Sequence, residues 1–367
     1  MQKTSRKLLL LILVMAMGIS SSQILLGDST KTEPQEKINQ EMASYITPDA
    51  VIAGIIHPKQ ILGNPDLSFL PIKEITREIL NETGIDPADI ELIVLTSQNY
   101  PDSQNRSKPK MGIVFRMSKP YKLDQLKGHM VRRLEKSTYE GRPSLASKHP
   151  SDPTIYMPDD RTLIIATPST LDAMIANHKE TKKGFVRKLI DTIDPSSHVA
   201  VAFDTKPTHA ILTALTKSPL ASSDSDHLEN LPKQINAMRI QAKALDNPFL
   251  TVDFLANSEE NAKKVKDVTV SLVKTARTLL DTNLQKAREH TEDPDEQAEL
   301  KRWGQLHDAI EKNLKPSVKG TVVTWTLTLP RQKQIELLKE LVKKPEKKKK
   351  TKRDKPVPEY DYQPMPD

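Results

Sequence analysis

Residues 237–284 constrain the fold more than any other stretch. From 238 to 244 the residues alternate: Met238, Ile240, Ala242 and Ala244 are apolar, while Arg239, Gln241 and Lys243 are polar. A period of two is that of a strand with one buried face. Asp246, Asn247 and Pro248 break the run with turn-forming residues. A second alternation follows, with Leu250, Val252, Phe254 and Ala256 on one side. Asn257 or Ser258 then caps a helix whose first turn carries Glu259 and Glu260, acids at the positive end of the dipole. Ala262, Val265, Val268, Leu272, Ala276, Leu279 and Leu280 recur at spacings of three and four, one apolar stripe along a long helix. A hairpin covered by a helix is the expected unit. On this parity Val252→Asp is expected to be costly and Lys243→Asp mild.

The rest of the chain repeats that grammar. Residues 50–56 predict a buried strand ending at His57-Pro58, and 67–80 a helix stopped by Gly84. Two strands, 90–96 and 111–117, flank a polar excursion. Residues 121–134 predict a second helix, and 139–148 a weak strand. Residues 154–157 and 162–167 flank the turn Pro158-Asp159-Asp160-Arg161, and helices begin at 171 and 181. At 197 the plan restarts. Residues 199–203 match 50–56, the hairpin 238–256 matches 90–117, and 320–329 matches 162–167, with an inserted helix at 294–314. Each half then reads β-α-β-β-α-β, so the expected fold class is α+β, two tandem ferredoxin-like repeats with antiparallel sheets covered by helices. The halves span 45–194 and 195–344, after a linker at 23–44.

The chain has 367 residues, enough for two domains, and no cysteine, which excludes disulfides and thiolate chemistry. Its net charge of +7 is confined to the ends. Residues 1–22 carry Lys3, Arg6 and Lys7 and no acid, and 343–355 carry nine Lys or Arg against Glu346 and Asp354. With the three acids of 356–367 counted, the body between the tails is neutral. That argues against a broad nucleic-acid surface, and no nucleic-acid partner is expected.

The basic start, the twelve-residue apolar run 8–19 and Ser20, Ser21 and Ser22 form a secretory signal pattern, with an uncleaved N-terminal anchor as its rival. An exported protein, periplasmic or extracellular, is expected. Residues 345–367, lysine-rich and then proline-rich, have too little apolar content to fold alone. Lys347, Lys348, Lys349, Lys350, Lys352 and Arg353 are the candidate residues for contact with an anionic surface.

Catalytic patterns are sparse. The 11 glycines never fall within four residues of one another, so phosphate-cradling loops are excluded, and no cofactor is expected. Nine histidines include no metal-ligand spacing, and each reads as structural. Ser271-Leu272-Val273-Lys274 spells Ser-x-x-Lys on a helix but lacks its companion motifs. Asp86-Pro87 and Asp293-Pro294 read as helix starts, and Asp159-Asp160 as turn chemistry. No catalytic or metal-binding residue is assigned. The expected role is a non-catalytic binding or structural module of the envelope, with an unidentified envelope protein or an anionic surface as partner; the alternative is a secreted hydrolase with its site between the repeats.

Pro48-Asp49-Ala50 before a strand, Gly84-Ile85-Asp86-Pro87 before a hairpin, Pro158 to Leu163 before an apolar strand, and Ser258-Glu259-Glu260-Asn261-Ala262 opening the long helix carry a resemblance. Across residues 45–330 the chain resembles a family of exported proteins of planctomycete-type bacteria, a domain with no assigned activity. The resemblance implies an envelope-exposed α+β protein and transfers no site residues.

Overall fold

The computed structural model describes residues 35–69, 72–98, 110–149, 152–208, 225–291 and 293–342. The signal segment, the excursion at 99–109, the helix start expected near 210 and the basic tail lie outside them. The strands are β1 (Ile52–Ile56), β2 (Ile90–Ser97), β3 (Met111–Met117), β4 (Glu135–Tyr139), β5 (Arg142–Ala146), β6 (Thr154–Tyr156) and β7 (Thr162–Ala166) in the first half. The second half supplies β8 (Val199–Asp204), β9 (Ile235–Ala242), β10 (Leu250–Ala256), β11 (Leu314–Lys319) and β12 (Val322–Leu327). The helices are α1 (Gln35–Ala43), α2 (Pro58–Leu62), α3 (Ile72–Thr83), α4 (Pro168–Lys179), α5 (Phe185–Ile190), α6 (Ser225–Gln234), α7 (Glu259–His290), α8 (Pro294–Asn313) and α9 (Arg331–Val342).

The fold is α+β, but both halves share one sheet. Its twelve strands run β11-β12-β10-β9-β8-β1-β2-β3-β7-β6-β5-β4. The halves join where β1 and β8 pair antiparallel, Ile52 opposite Phe203 and Ile56 opposite Val199. Outward from that seam the orders are β1-β2-β3-β7-β6 and β8-β9-β10-β12-β11.

This corrects the ferredoxin-like expectation. A split βαβ needs two parallel strands with a third between them. Here β2 lies directly beside β1 and antiparallel to it, Ile52 opposite Ser97. The place on the other side of β1 is taken by β8 from the second half. The connection through α2 and α3 therefore only has to cross one face of the sheet and return.

Both faces are covered. On the front, Ile38 and Met42 of α1, Leu171 and Met174 of α4, and Val186 and Leu189 of α5 bury Ala53, Ile55, Val94, Val114 and Ile164. On the back, Ile61 of α2, Leu306 of α8 and Leu337 and Leu338 of α9 cover Ile56, Ile93, Ile113 and Val199. Ala262 and Val265 of α7 pack on Val323 and Trp325, with Val252 and Phe254 beside them.

Four local expectations change. The linker expected at 23–44 contains α1, anchored through Ile38, Met42 and Ala43. The helix expected over 121–134 is two short 3-10 turns, Leu123–Gln125 and Val131–Arg133. Its backbone is engaged elsewhere: His129 and Met130 donate to the carbonyls of Asn81 and Glu82 at the end of α3, both at 2.9 Å. The central hairpin does not have one buried face, because Asp253 is 4% exposed on the side opposite Val252. The apolar stripe of α7 is buried only through Val268 and Thr269, beyond which Leu272, Leu279 and Leu280 are exposed.

Candidate functional site

The β1–β8 seam brings chemically capable side chains together. His57 follows β1, where Pro58 starts α2, and Ser197 and His198 immediately precede β8. Helix α1 adds Glu36, Asn39 and Gln40, while the end of α5 and the turn after it add Asp191 and Asp194. All of these polar side chains except His198 line a cleft of about 60 Å³. That is room for a water molecule or two, against several hundred Å³ for a typical ligand pocket.

His57 is the pivot. It is 1% exposed, and its backbone N–H donates to the His198 carbonyl at 2.9 Å. Its Nδ1 lies 2.9 Å from the Ser197 carbonyl and its Nε2 lies 3.1 Å from Asn39 Oδ1. Burial pushes the imidazole pKa down to about 4 against the opposing pull of the Ser197 carbonyl. The neutral ring has one N–H, which the carbonyl takes at Nδ1. Nε2 then has no proton to give Asn39 Oδ1, which accepts from Gln35 Nε2 at 3.1 Å. His57 thus ties the entry to β8 onto the end of β1 and lies against Asn39 of α1.

The surrounding charges are held in the same way. Asp194 accepts from the Ser196 backbone and hydroxyl at 2.9 and 2.7 Å and pairs with Lys243. Burial alone would raise its carboxyl pKa, but the hydrogen bonds from Lys243 and Ser196 outweigh that and hold it low. Burial likewise opposes ionisation of Asp191, and Lys183 at 2.8 Å with Arg187 at 2.7 Å prevails. The side-chain hydroxyl of Ser197 faces Gln241 Oε1 at 3.4 Å, whereas His57 meets Ser197 through its carbonyl. The serine–imidazole contact of a nucleophilic pair is not made. His198 is buried with Nδ1 unpartnered, and burial lowers its pKa.

The residues singled out from sequence are dispersed. Asp86 accepts from Ala88 N at 2.9 Å and caps a 3-10 turn, and Asp159 accepts from Arg161 N at 2.7 Å within its turn. Ser271 and Lys274 lie on α7 far from the seam in sequence, the first half-buried and the second exposed. His209 and the basic residues Lys347, Lys348, Lys349, Lys350, Lys352 and Arg353 lie outside the described residues. Sequence reasoning missed the cleft because His57 meets partners 18 and 140 positions away. The one local signal was a histidine at the end of an apolar strand, before a proline.

Among the described residues no group of three or more His, Asp or Glu is arranged to hold a metal ion, and no helix is long and apolar enough to cross a membrane. No family model matches the sequence, and no curated protein matches it. Among solved structures, two crystal forms of a protein designated TP0453 are similar at 12% and 10% identity. They cover 82% and 80% of this chain and 96% of their own, each with a TM-score of 0.38.

Proposed function

We propose that this is an exported envelope protein that works by binding rather than by catalysis. What carries the reading is the state of His57: both ring nitrogens face structural partners, beside a cleft of about 60 Å³. The most chemically capable side chain in the fold is committed to holding secondary-structure elements together. Export rests on the basic, apolar and serine-rich order of residues 1–22, and kinship with planctomycete-type exported proteins belongs to the same proposal. A repeat belongs to it too, in altered form. Strand orders that correspond outward from β1 and β8 support an internal duplication of a five-strand unit, three sequential strands followed by a hairpin whose second strand pairs with the third.

The binding surface proposed is the basic run, in which nine Lys or Arg fall between 343 and 355 beyond the last turn of α9. Near an anionic surface each such charge contributes about 1 kcal/mol, decaying within a Debye length of about 8–10 Å. The test is cosedimentation of the protein with anionic vesicles, beside a version ending at Val342. Salt-sensitive binding that the truncation abolishes supports the proposal, and binding unchanged by truncation refutes the role of the tail.

One observation favours the hydrolase alternative: the cleft at the junction of the halves sets Glu36, Asp191 and Asp194 beside His57 and Ser197 on an otherwise largely apolar lining. Hydrolysis of any ester or amide panel that is lost in Ser197→Ala, with folding intact, would establish it.

A further inference from the structure

At the β1–β8 seam two hydrogen-bond acceptors confront each other. The one proton of the neutral His57 ring is taken at Nδ1 by the Ser197 carbonyl, while Nε2 lies 3.1 Å from Asn39 Oδ1. Gln35 Nε2 donates to that same Oδ1 at 3.1 Å, which sets the amide with its oxygen towards the imidazole. A ring only 1% exposed therefore carries an acceptor nitrogen that no group among the described residues supplies with a proton. Buried acceptors of this kind are ordinarily satisfied. Both His57 and Asn39 line the cleft, which is the side from which one donor reaches both.

The charge of the cleft has one sign. Its lining includes the carboxylates of Glu36, Asp191 and Asp194 and no Lys or Arg. Two of the three are answered from outside it, Asp191 by Lys183 and Arg187 and Asp194 by Lys243. Glu36 is not: among the described residues it meets no cation, and Gln40 Nε2 donates to it at 3.3 Å. Glu36 and Asn39 stand three apart on α1 and so share a face of that helix. Carboxylate, amide oxygen and imidazole nitrogen are thus three acceptors on one wall, and Ile55, Ile190 and Ile193 supply apolar surface beside them.

We propose that this cleft binds a small protonated amine, whose N–H groups donate to His57 Nε2, Asn39 Oδ1 and the Glu36 carboxylate. Each feature narrows the ligand. Acceptors without donors call for N–H or O–H groups, and an unanswered carboxylate calls for positive charge. A water molecule would meet the first demand and not the second. A metal ion does not fit, because among the described residues no three His, Asp or Glu are placed to hold one. About 60 Å³ is room for one or two water molecules, which limits the cation to the size of ammonium or methylammonium. The isoleucines suit a methyl group. Binding here draws on the same neutral His57 as the non-catalytic reading and owes nothing to the basic tail.

Thermal midpoints of the full chain at neutral pH should rise saturably in methylammonium chloride. They should not rise in sodium chloride or tetramethylammonium chloride of equal ionic strength, since neither cation has an N–H to donate. Glu36→Gln, at an exposed position, should weaken the methylammonium response about fivefold, and Asn39→Leu about tenfold. Glu74→Gln, the same change on α3, should leave it alone. The unprotonated ring nitrogen of His57, identified by its loss from the imidazole nitrogen NMR spectrum of His57→Asn, should shift with methylammonium and not with tetramethylammonium. Equal midpoints in the three salts mean that the cleft holds water only and overturn the proposal. So does a rise that Glu36→Gln and Asn39→Leu leave unchanged, or a His57 resonance indifferent to methylammonium. Butylammonium binding more tightly than methylammonium overturns the size limit. A chain ending at Val342 should bind methylammonium as the full chain does, so failure here is distinct from failure of vesicle binding through the tail.

Discussion

Asp253 and Arg239 face each other across β10 and β9, and one carboxylate oxygen, Oδ2, accepts from Nη2 at 2.8 Å and Nε at 3.1 Å. The other oxygen accepts from the Thr324 hydroxyl on β12 at 2.7 Å, and the guanidinium reaches Thr192 after α5. Three adjacent strands and the loop that follows α5 are thereby joined on the front face. This is a polar counterpart to the α7 contacts on the back.

Removing one member of such a pair strands the other. Asp253→Ala should destabilise the protein by about 3 kcal/mol, the usual cost of an uncompensated buried charge. Thr324→Val should cost about 1 kcal/mol. Replacing both charges, Arg239→Met with Asp253→Leu, should recover most of the loss. Urea midpoints measure all three beside the single Arg239→Met and Asp253→Leu variants, and a double-variant loss equal to the sum of those two would mean the pair is not coupled.

Lys243 reverses an expectation drawn from strand parity. Val252 is half-buried beside Val323 and Trp325, so Val252→Asp should still cost about 3 kcal/mol. Lys243, however, is only 17% exposed and pairs with Asp194. Lys243→Asp would set two carboxylates together and should cost about 2 kcal/mol, more than Lys243→Gln. Equal midpoints for those two variants would show that the ion pair is not formed in solution.

The pH dependence follows from His57. Its pKa falls from 6.5 unfolded to about 4 folded, so the fold favours the neutral ring. The stabilisation is complete above about pH 6.5 and is lost as pH drops from there towards 4, at about 1.4 kcal/mol per unit and about 3 kcal/mol in all. Carboxylates add their own losses below that window. The informative curve is therefore the difference between wild type and His57→Asn, which should narrow with a midpoint between pH 4 and 6.5. A constant difference would show that His57 titrates normally.

What was legible in the sequence was local. The long helix, its Ser258 cap, the insertion now seen as Pro294–Asn313 and most strands follow from period and punctuation. Strand order did not, because it is decided by a pairing such as β1 with β8, whose residues lie about 150 positions apart and carry the same apolar pattern as any other pair. The cleft was hidden for the same reason. The exposure of α7 beyond Thr269 was hidden by a different one: an apolar stripe states that a helix can be covered, not how far the sheet beneath it extends.

The segment after β3 supplies the last test, because there periodicity predicted a helix and close packing prevented one. Gly128 crosses the end of α3 so tightly that a Cβ on it would lie 2.2 Å from the Glu82 carbonyl oxygen. That closeness is what lets His129 and Met130 donate to the Asn81 and Glu82 carbonyls, satisfying groups the helix end leaves open. Gly128→Ala must push the two backbones apart and lengthen both hydrogen bonds, at a cost of about 2–4 kcal/mol. Gly141→Ala is the control. Gly141 sits at φ +75 in the β4–β5 turn with nothing within 4 Å of the added methyl, so only backbone strain of about 1 kcal/mol applies. Denaturation midpoints separate the two mechanisms: Gly128→Ala should fall well below Gly141→Ala. A smaller loss at 128 than at 141 would mean that this segment does not cross the end of α3, leaving the helix expected from periodicity as the better description.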